Sequence, residues 1–173
     1  ISCGSTSAHL TLILKLKLNP FSFKISLPTL HYFSPKDILS DVSLQPNKKC
    51  KIIHNSQMEV EVSSGSMSRK AGISESLVGA KNIHLAISTL PPGASATPHY
   101  HVNCETGIYI MNGNGRFLTG PNLDEDNRIK EGDFIHVPSG AVHQPINDSD
   151  TEDLVMVVAR NTPTEIVIEY EKE

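Results

Sequence analysis

From Met58 onward the chain is a succession of short apolar stretches, each closed by a turn signal, and none is long enough for a helix of several turns. Ile83, Leu85 and Ile87 alternate with His84, Ala86 and Ser88, the two-residue period of a strand with two distinct faces. Further strands are expected at 107–111, 117–118, 134–137, 154–159 and 166–170. Between them stand Pro91-Pro92-Gly93, Asn112-Gly113-Asn114-Gly115, Gly120-Pro121-Asn122 and Pro138-Ser139-Gly140, turns whose backbone angles Gly and Asn adopt at little cost. Strands of this length at this spacing close into a sandwich or a barrel. The Gly113-Asn114-Gly115 run reads as a hairpin turn and not as a phosphate loop, because no helix follows to present its amides.

The first 57 residues are a different kind of chain. They hold seven Lys against Asp37 and Asp41, a surplus of five positive charges, whereas the rest sets eight basic residues against 17 acidic, a surplus of nine negative. At 173 residues the chain has room for one well-packed domain. The division therefore predicts a disordered or targeting extension over 1–57 and one domain over 58–173. The extension is rich in Ser and Leu and poor in acid, which suits a plastid-type transit peptide; upstream sequence read through in frame, with Met58 as the start, is the alternative. Cytoplasm or plastid is the expected location. Ser34-Pro35 opens a candidate short helix. The run LTLILKLKL is too short and too charged to span a membrane. Three scattered cysteines make a poor disulfide framework. An acidic domain with dispersed Arg69, Lys81, Arg116 and Arg160 has no stripe for a phosphate backbone, so neither nucleic acid nor membrane is an expected partner.

Two stretches carry chemistry. In the first, running from Gly93 to Gly113, His99 and His101 are one residue apart, so a strand would put both imidazoles on one face, about 7 Å apart. Glu105, four residues further on, offers a hard oxygen ligand, and a mixed nitrogen and oxygen set suits Mn, Fe, Co, Ni or Zn. The second, from Gly132 to Asn147, adds His143 after a tight turn.

These stretches resemble the paired motifs of the cupin superfamily. The first motif runs Gly, five residues, His-x-His, three or four residues, Glu, six residues, Gly; the second runs Gly, five residues, Pro-x-Gly, two residues, His, three residues, Asn, and Gly132, Pro138, Gly140, His143 and Asn147 match it throughout. The resemblance covers roughly residues 83–159. It implies an all-β, single jelly-roll barrel of the small RmlC-like kind, a homodimer, and one divalent transition metal (Fe, Mn, Zn, Ni or Co) held by His99, His101, Glu105 and His143, with Asn147 and the glycines structural. One position departs from the pattern. Counting back from Gly113 puts the acid at Thr106, and counting forward from His101 puts it at Glu105. Since a shift of one residue reverses the face of a strand, either the loop after His101 rearranges or Glu105 points away.

His84 and His136 read as ordinary barrel residues, Cys104 as a small buried hydrophobe, and Tyr109, Met111, Phe117 and Phe134 as barrel filling. Arg69 and Arg160 suit solvent-facing salt bridges, with binding of an anionic substrate as the alternative. Fold and metal do not name a reaction. The expected function is a metal-dependent enzyme acting on a small oxygenated molecule, of dioxygenase, isomerase, cyclase or lyase type. A non-catalytic binding or storage role and a sugar-phosphate isomerase are the alternatives, the latter weakened by the absence of a basic cluster.

Overall fold

The computed structural model describes residues 48–171. The candidate helix at Ser34-Pro35 and residues 1–47 of the extension expected over 1–57 lie outside them. Residues 48–57 are described and include a 3-10 turn at Asn55–Gln57, and Lys51 Nζ donates to Val78 O at 3.2 Å.

Eleven strands follow: β1 (Glu59–Glu61), β2 (Ser68–Ile73), β3 (His84–Leu90), β4 (His99–His101), β5 (Thr106–Asn112), β6 (Asn114–Thr119), β7 (Glu125–Lys130), β8 (Phe134–Val137), β9 (His143–Ile146), β10 (Leu154–Arg160) and β11 (Val167–Glu169). One helical turn, α1 (Glu75–Val78), stands between β2 and β3, capped by the Ser74 hydroxyl and closed by Gly79 at φ 74°. The strands form two antiparallel sheets, β1-β2-β3-β10-β5-β8 and β11-β4-β9-β6-β7. From β3 to β6, and again from β8 to β11, successive strands alternate between the sheets, as in a jelly roll. The expected all-β jelly-roll barrel is present.

Leu90, Ile108, Ile110, Phe117, Ile129, Val137, Leu154 and Met156 fill the space between the sheets. Each contributes about 1.5–3 kcal/mol by leaving water. Several expectations reverse face. In β3 the buried residues are His84, Ala86, Ser88 and Leu90, because this part of the interior is polar; Leu85 and Ile87 face outward, half-buried. In β8 the inward register belongs to Ile135 and Val137, so Phe134 stands 81% exposed against Tyr109, and Met111 is exposed as well. The run at Gly113 is not a hairpin: β5 and β6 belong to different sheets, and the chain turns a corner there. Gly113 has φ 84°, and a Cβ on it would overlap the Asp153 carbonyl oxygen. Any side chain is thus excluded twice.

Asn147 is fully buried, donates to Leu90 O (2.9 Å) and Glu152 O (2.8 Å) and accepts from Ser149 N (3.1 Å). It ties the end of β3 to the turn before β10, which makes it an anchor for the barrel. Asn147→Ala strands those carbonyls and the Ser149 amide. A loss of about 2–3 kcal/mol is expected in the midpoint of chemical denaturation, and a change under 0.5 kcal/mol would contradict the anchor role. Among the described residues no helix is long and apolar enough to cross a membrane.

Candidate metal centre

His99 and His101, on the inner face of β4, meet His143, the first residue of β9 and the register partner of His99. All three are buried, at 3–6% exposure, and one ring nitrogen of each lies within 4.8 Å of the others. The ring centroids of His99 and His101 are 5.2 Å apart, closer than the strand rise alone would set them, because the rings lean together. His143 lies parallel to Phe117, at 5.6 Å and 13°, which fixes its plane.

The opposite edges of the rings decide what the inner edges can do. His99 Nδ1 is 2.6 Å from Thr97 O and His143 Nδ1 is 2.9 Å from Ala141 O, in each case the carbonyl two residues upstream. A carbonyl only accepts, so both Nδ1 atoms carry the proton and both Nε2 atoms keep a lone pair. His101 Nδ1 lies 3.0 Å from Glu165 Oε2. This is the outer-shell pattern that orients metal-binding imidazoles. Burial, together with the neighbouring His99, pushes the His143 imidazole down to about 3, and burial lowers His99 too. Both rings are therefore neutral at physiological pH, as a metal-binding imidazole must be.

Glu105 does not join them. β5 begins at Thr106, whose side chain is buried at 2%, and the alternation of the strand then turns Glu105 outward. Its side chain is 63% exposed, with Oε2 at 3.5 Å from His136 Nε2, and its backbone N donates to Asn161 Oδ1. The count back from Gly113 therefore holds, and Thr106 occupies the place assigned to the acid. Glu105→Gln is expected to leave stability within about 0.5 kcal/mol and metal affinity unchanged, as at ordinary surface positions. Titration of metal into the stripped variant checks this, and a tenfold weaker site would restore Glu105 as a ligand.

The acid at the centre is Glu165, in the segment between β10 and β11. Its side chain is 11% exposed, and besides His101 it meets Arg160 Nη1 and Arg69 Nη1, the latter at 2.6 Å. Burial alone would raise its carboxyl, but the contacts with His101, Arg160 and Arg69 outweigh burial and hold it well below the usual carboxylate range. Arg160, expected at the surface, is 4% exposed. No motif singles out Glu165; the Pro163 before it marks a loop, and only the folded chain brings it to His101.

Inside the barrel the three His share a small cavity of about 40 Å³ with Ser88, Thr106, Met156 and Val158. It continues past Arg69 and Glu165 into a mouth of about 210 Å³ between Val62, Met67 and Val167. Ser88 Oγ and Thr106 Oγ1 are buried without a hydrogen-bond partner in the protein. Buried hydroxyls and imidazole lone pairs facing one another need an occupant that accepts or donates to them, and a divalent ion with bound oxygen ligands meets that need. A wider groove of about 390 Å³ beside β8 holds Arg128, Asp133 and His136 but no converging set of ligands.

A family model described as a cupin domain matches residues 86–160, a span that includes all three His. An uncharacterized protein of Aquifex aeolicus is 34% identical over 64 residues; the match covers 36% of this chain and about half (50%) the length of that relative. The polyketide cyclase RemF of Streptomyces resistomycificus superposes with a TM-score of 0.61 at 18% identity, over 72% of this chain and 88% of that one. A predicted oxalate decarboxylase of Thermotoga maritima superposes with a TM-score of 0.55 at 26% identity, over 65% and 99%. With His99 and His101 of the first motif and His143 of the second on the paired strands β4 and β9, the chain has the fold of these proteins, and its residues 86–160 match the cupin domain.

Proposed function

We propose that this chain is a metal-dependent enzyme that holds one divalent transition ion at His99, His101 and His143 and acts on a small oxygenated molecule entering past Arg69. The observation that supports it is the convergence of three buried imidazoles, two with their outer nitrogens bonded to Thr97 O and Ala141 O and the third with its outer nitrogen 3.0 Å from the Glu165 carboxylate. A three-nitrogen set suits Fe, Mn, Co, Ni or Zn and, lacking a carboxylate, would leave such an ion its full double charge for polarising substrate oxygens. The chain's own groups do the rest. Thr97 and Ala141 hold two tautomers, Glu165 holds the third ring, Ser88 and Thr106 offer hydroxyls to the cavity, and Met67, Met156 and Val158 keep it dry.

RemF and the Thermotoga protein carry enzyme names on the same fold, which favours turnover over storage. The polyketide and oxalate of those names remain theirs. Elemental analysis of protein purified without added metal, followed by a turnover screen with the ion found, tests the reading. About one transition ion per chain is expected. Protein that takes up no first-row ion at micromolar concentration would overturn it; metal without turnover on any oxygenated substrate would favour a binding role. A second copy of the chain belongs to the same proposal. Val60 on the edge strand β1 and Val62 just after it stand exposed, where pairing would cover them, and light scattering would detect a dimer.

A further inference from the structure

The chain's own charges do not balance those of a divalent ion at the three imidazoles. A ligating imidazole is neutral, and Thr97 O and Ala141 O already hold His99 and His143 in that form. Glu165 meets His101, but its charge is matched elsewhere: Oε1 lies 2.6 Å from Arg69 Nη1, and Oε2 meets Arg160 Nη1. Arg69 in turn places Nε 2.9 Å from Glu61 Oε2. Arg160 Nη2 donates to His84 Nδ1 at 2.7 Å, which leaves His84 Nε2 to donate to Glu61 Oε1 at 2.8 Å. Two guanidiniums and two carboxylates sum to zero. Glu169, the other acid lining the mouth, is exposed, and solvent screens it. Both charges of the ion are then uncompensated among buried side chains, where an unpaired charge is costly.

Thr106 marks where the compensation enters. Its side chain is 2% exposed and lines the same cavity as the three imidazoles, and its Oγ1 has no hydrogen-bond partner in the protein. Apart from Ser88 Oγ, every other such buried atom among the described residues belongs to a residue engaged in an ion pair. The Cys104 thiol near Thr106 is a weak hydrogen-bonding group and does not meet the need. Thr106 is the register partner of Arg160, which reaches His101 through Glu165, whereas Ser88 is the register partner of Met156 in the apolar core. The unused hydroxyl at the His101 end is therefore that of Thr106. A cavity of about 40 Å³ has room beside it for about three water-sized atoms, at roughly 10–15 Å³ of such space each.

We infer that the substrate brings a small oxyanion into this cavity, a carboxylate or an ionised hydroxyl, which ligates the ion and accepts a hydrogen bond from Thr106 Oγ1. The inference rests on the metal centre proposed above and gives the charge of the end of the substrate that meets it. A threonine hydroxyl carries no charge of its own, so it leaves the compensation to the ligand and fixes where the anion sits through a charge-assisted bond.

Calorimetric titration of formate into the full chain loaded with Co(II), followed also by the visible absorption of the ion, tests it. Formate is expected to bind at least about tenfold more tightly than it binds Co(II) in buffer alone. Thr106→Val keeps the shape of the side chain and removes the hydroxyl. It is expected to weaken formate about 10–100-fold, with Co(II) affinity within about twofold and no loss of stability, because no hydrogen bond within the protein disappears. Thr106→Glu supplies the missing charge from the chain, and should raise Co(II) affinity and abolish formate binding. Formate held no more tightly than by Co(II) in buffer, held equally without Co(II), or unaffected by Thr106→Val would overturn the inference and leave the metal centre standing. A chain that takes up no Co(II) would overturn the metal centre and the inference with it.

Discussion

The His99→Ala, His101→Ala chain is expected to bind no metal. Two of the three converging imidazoles disappear, and His143 alone offers one nitrogen and no chelation. Elemental analysis should fall from about one ion per chain to background, whereas any of the exposed carboxylates could change without effect. The loss should also show in stability. An ion present at a thousand times its Kd stabilises the folded chain by about 4 kcal/mol, and that concentration-dependent increment should vanish in the variant. Stoichiometric metal retained by the double variant would put the ion elsewhere on the molecule.

The second large effect is expected at Glu165. Glu165→Gln keeps the side-chain size but removes the charge that meets His101, Arg160 and Arg69 together. Leaving Arg160 buried beside a neutral amide is expected to cost about 3–5 kcal/mol in denaturant unfolding. Removing the partner of the His101 ring is expected to weaken metal binding about 10–100-fold. Titrating Co(II) into the folded variant separates the two effects. Lower stability with unchanged affinity would reduce Glu165 to an ion-pair partner of the arginines.

What the sequence disclosed follows what local patterns can encode. Motif spacing, with a His-x-His pair on one strand face and a Pro-x-Gly turn before His143, was enough to name the three imidazoles and the barrel that holds them. Whether Glu105 joins them was not legible, because the two counts gave different answers at Glu105 and Thr106, and only the start of β5 decides which of them faces inward. Glu165 was hidden for another reason. Its partners Arg69, His101 and Arg160 come from three separate strands, so the cluster is a property of closure and not of any window of sequence. β7 was missed because it is an edge strand with five of its six residues exposed and only Ile129 inside. In β3 the period was visible but its sense was not: the apolar face points outward where the interior holds His84 and Ser88.

The three imidazoles do not take their bearings from the same kind of partner. His99 and His143 are aligned by the peptide oxygens of Thr97 and Ala141, which every side-chain replacement leaves in place. Of the three, only His101 has its outer nitrogen set against a side chain, and Glu165 can be altered by a single codon change. Divergence among descendants of this chain is therefore channelled. Two ligand orientations are inherited with the backbone, while the third, and with it the electron donation of one ring to the ion, is open to mutation at position 165. Arg69 and Arg160 constrain even that freedom, since a lineage that gave up the carboxylate would have to replace two guanidinium partners in the same interval to remain folded.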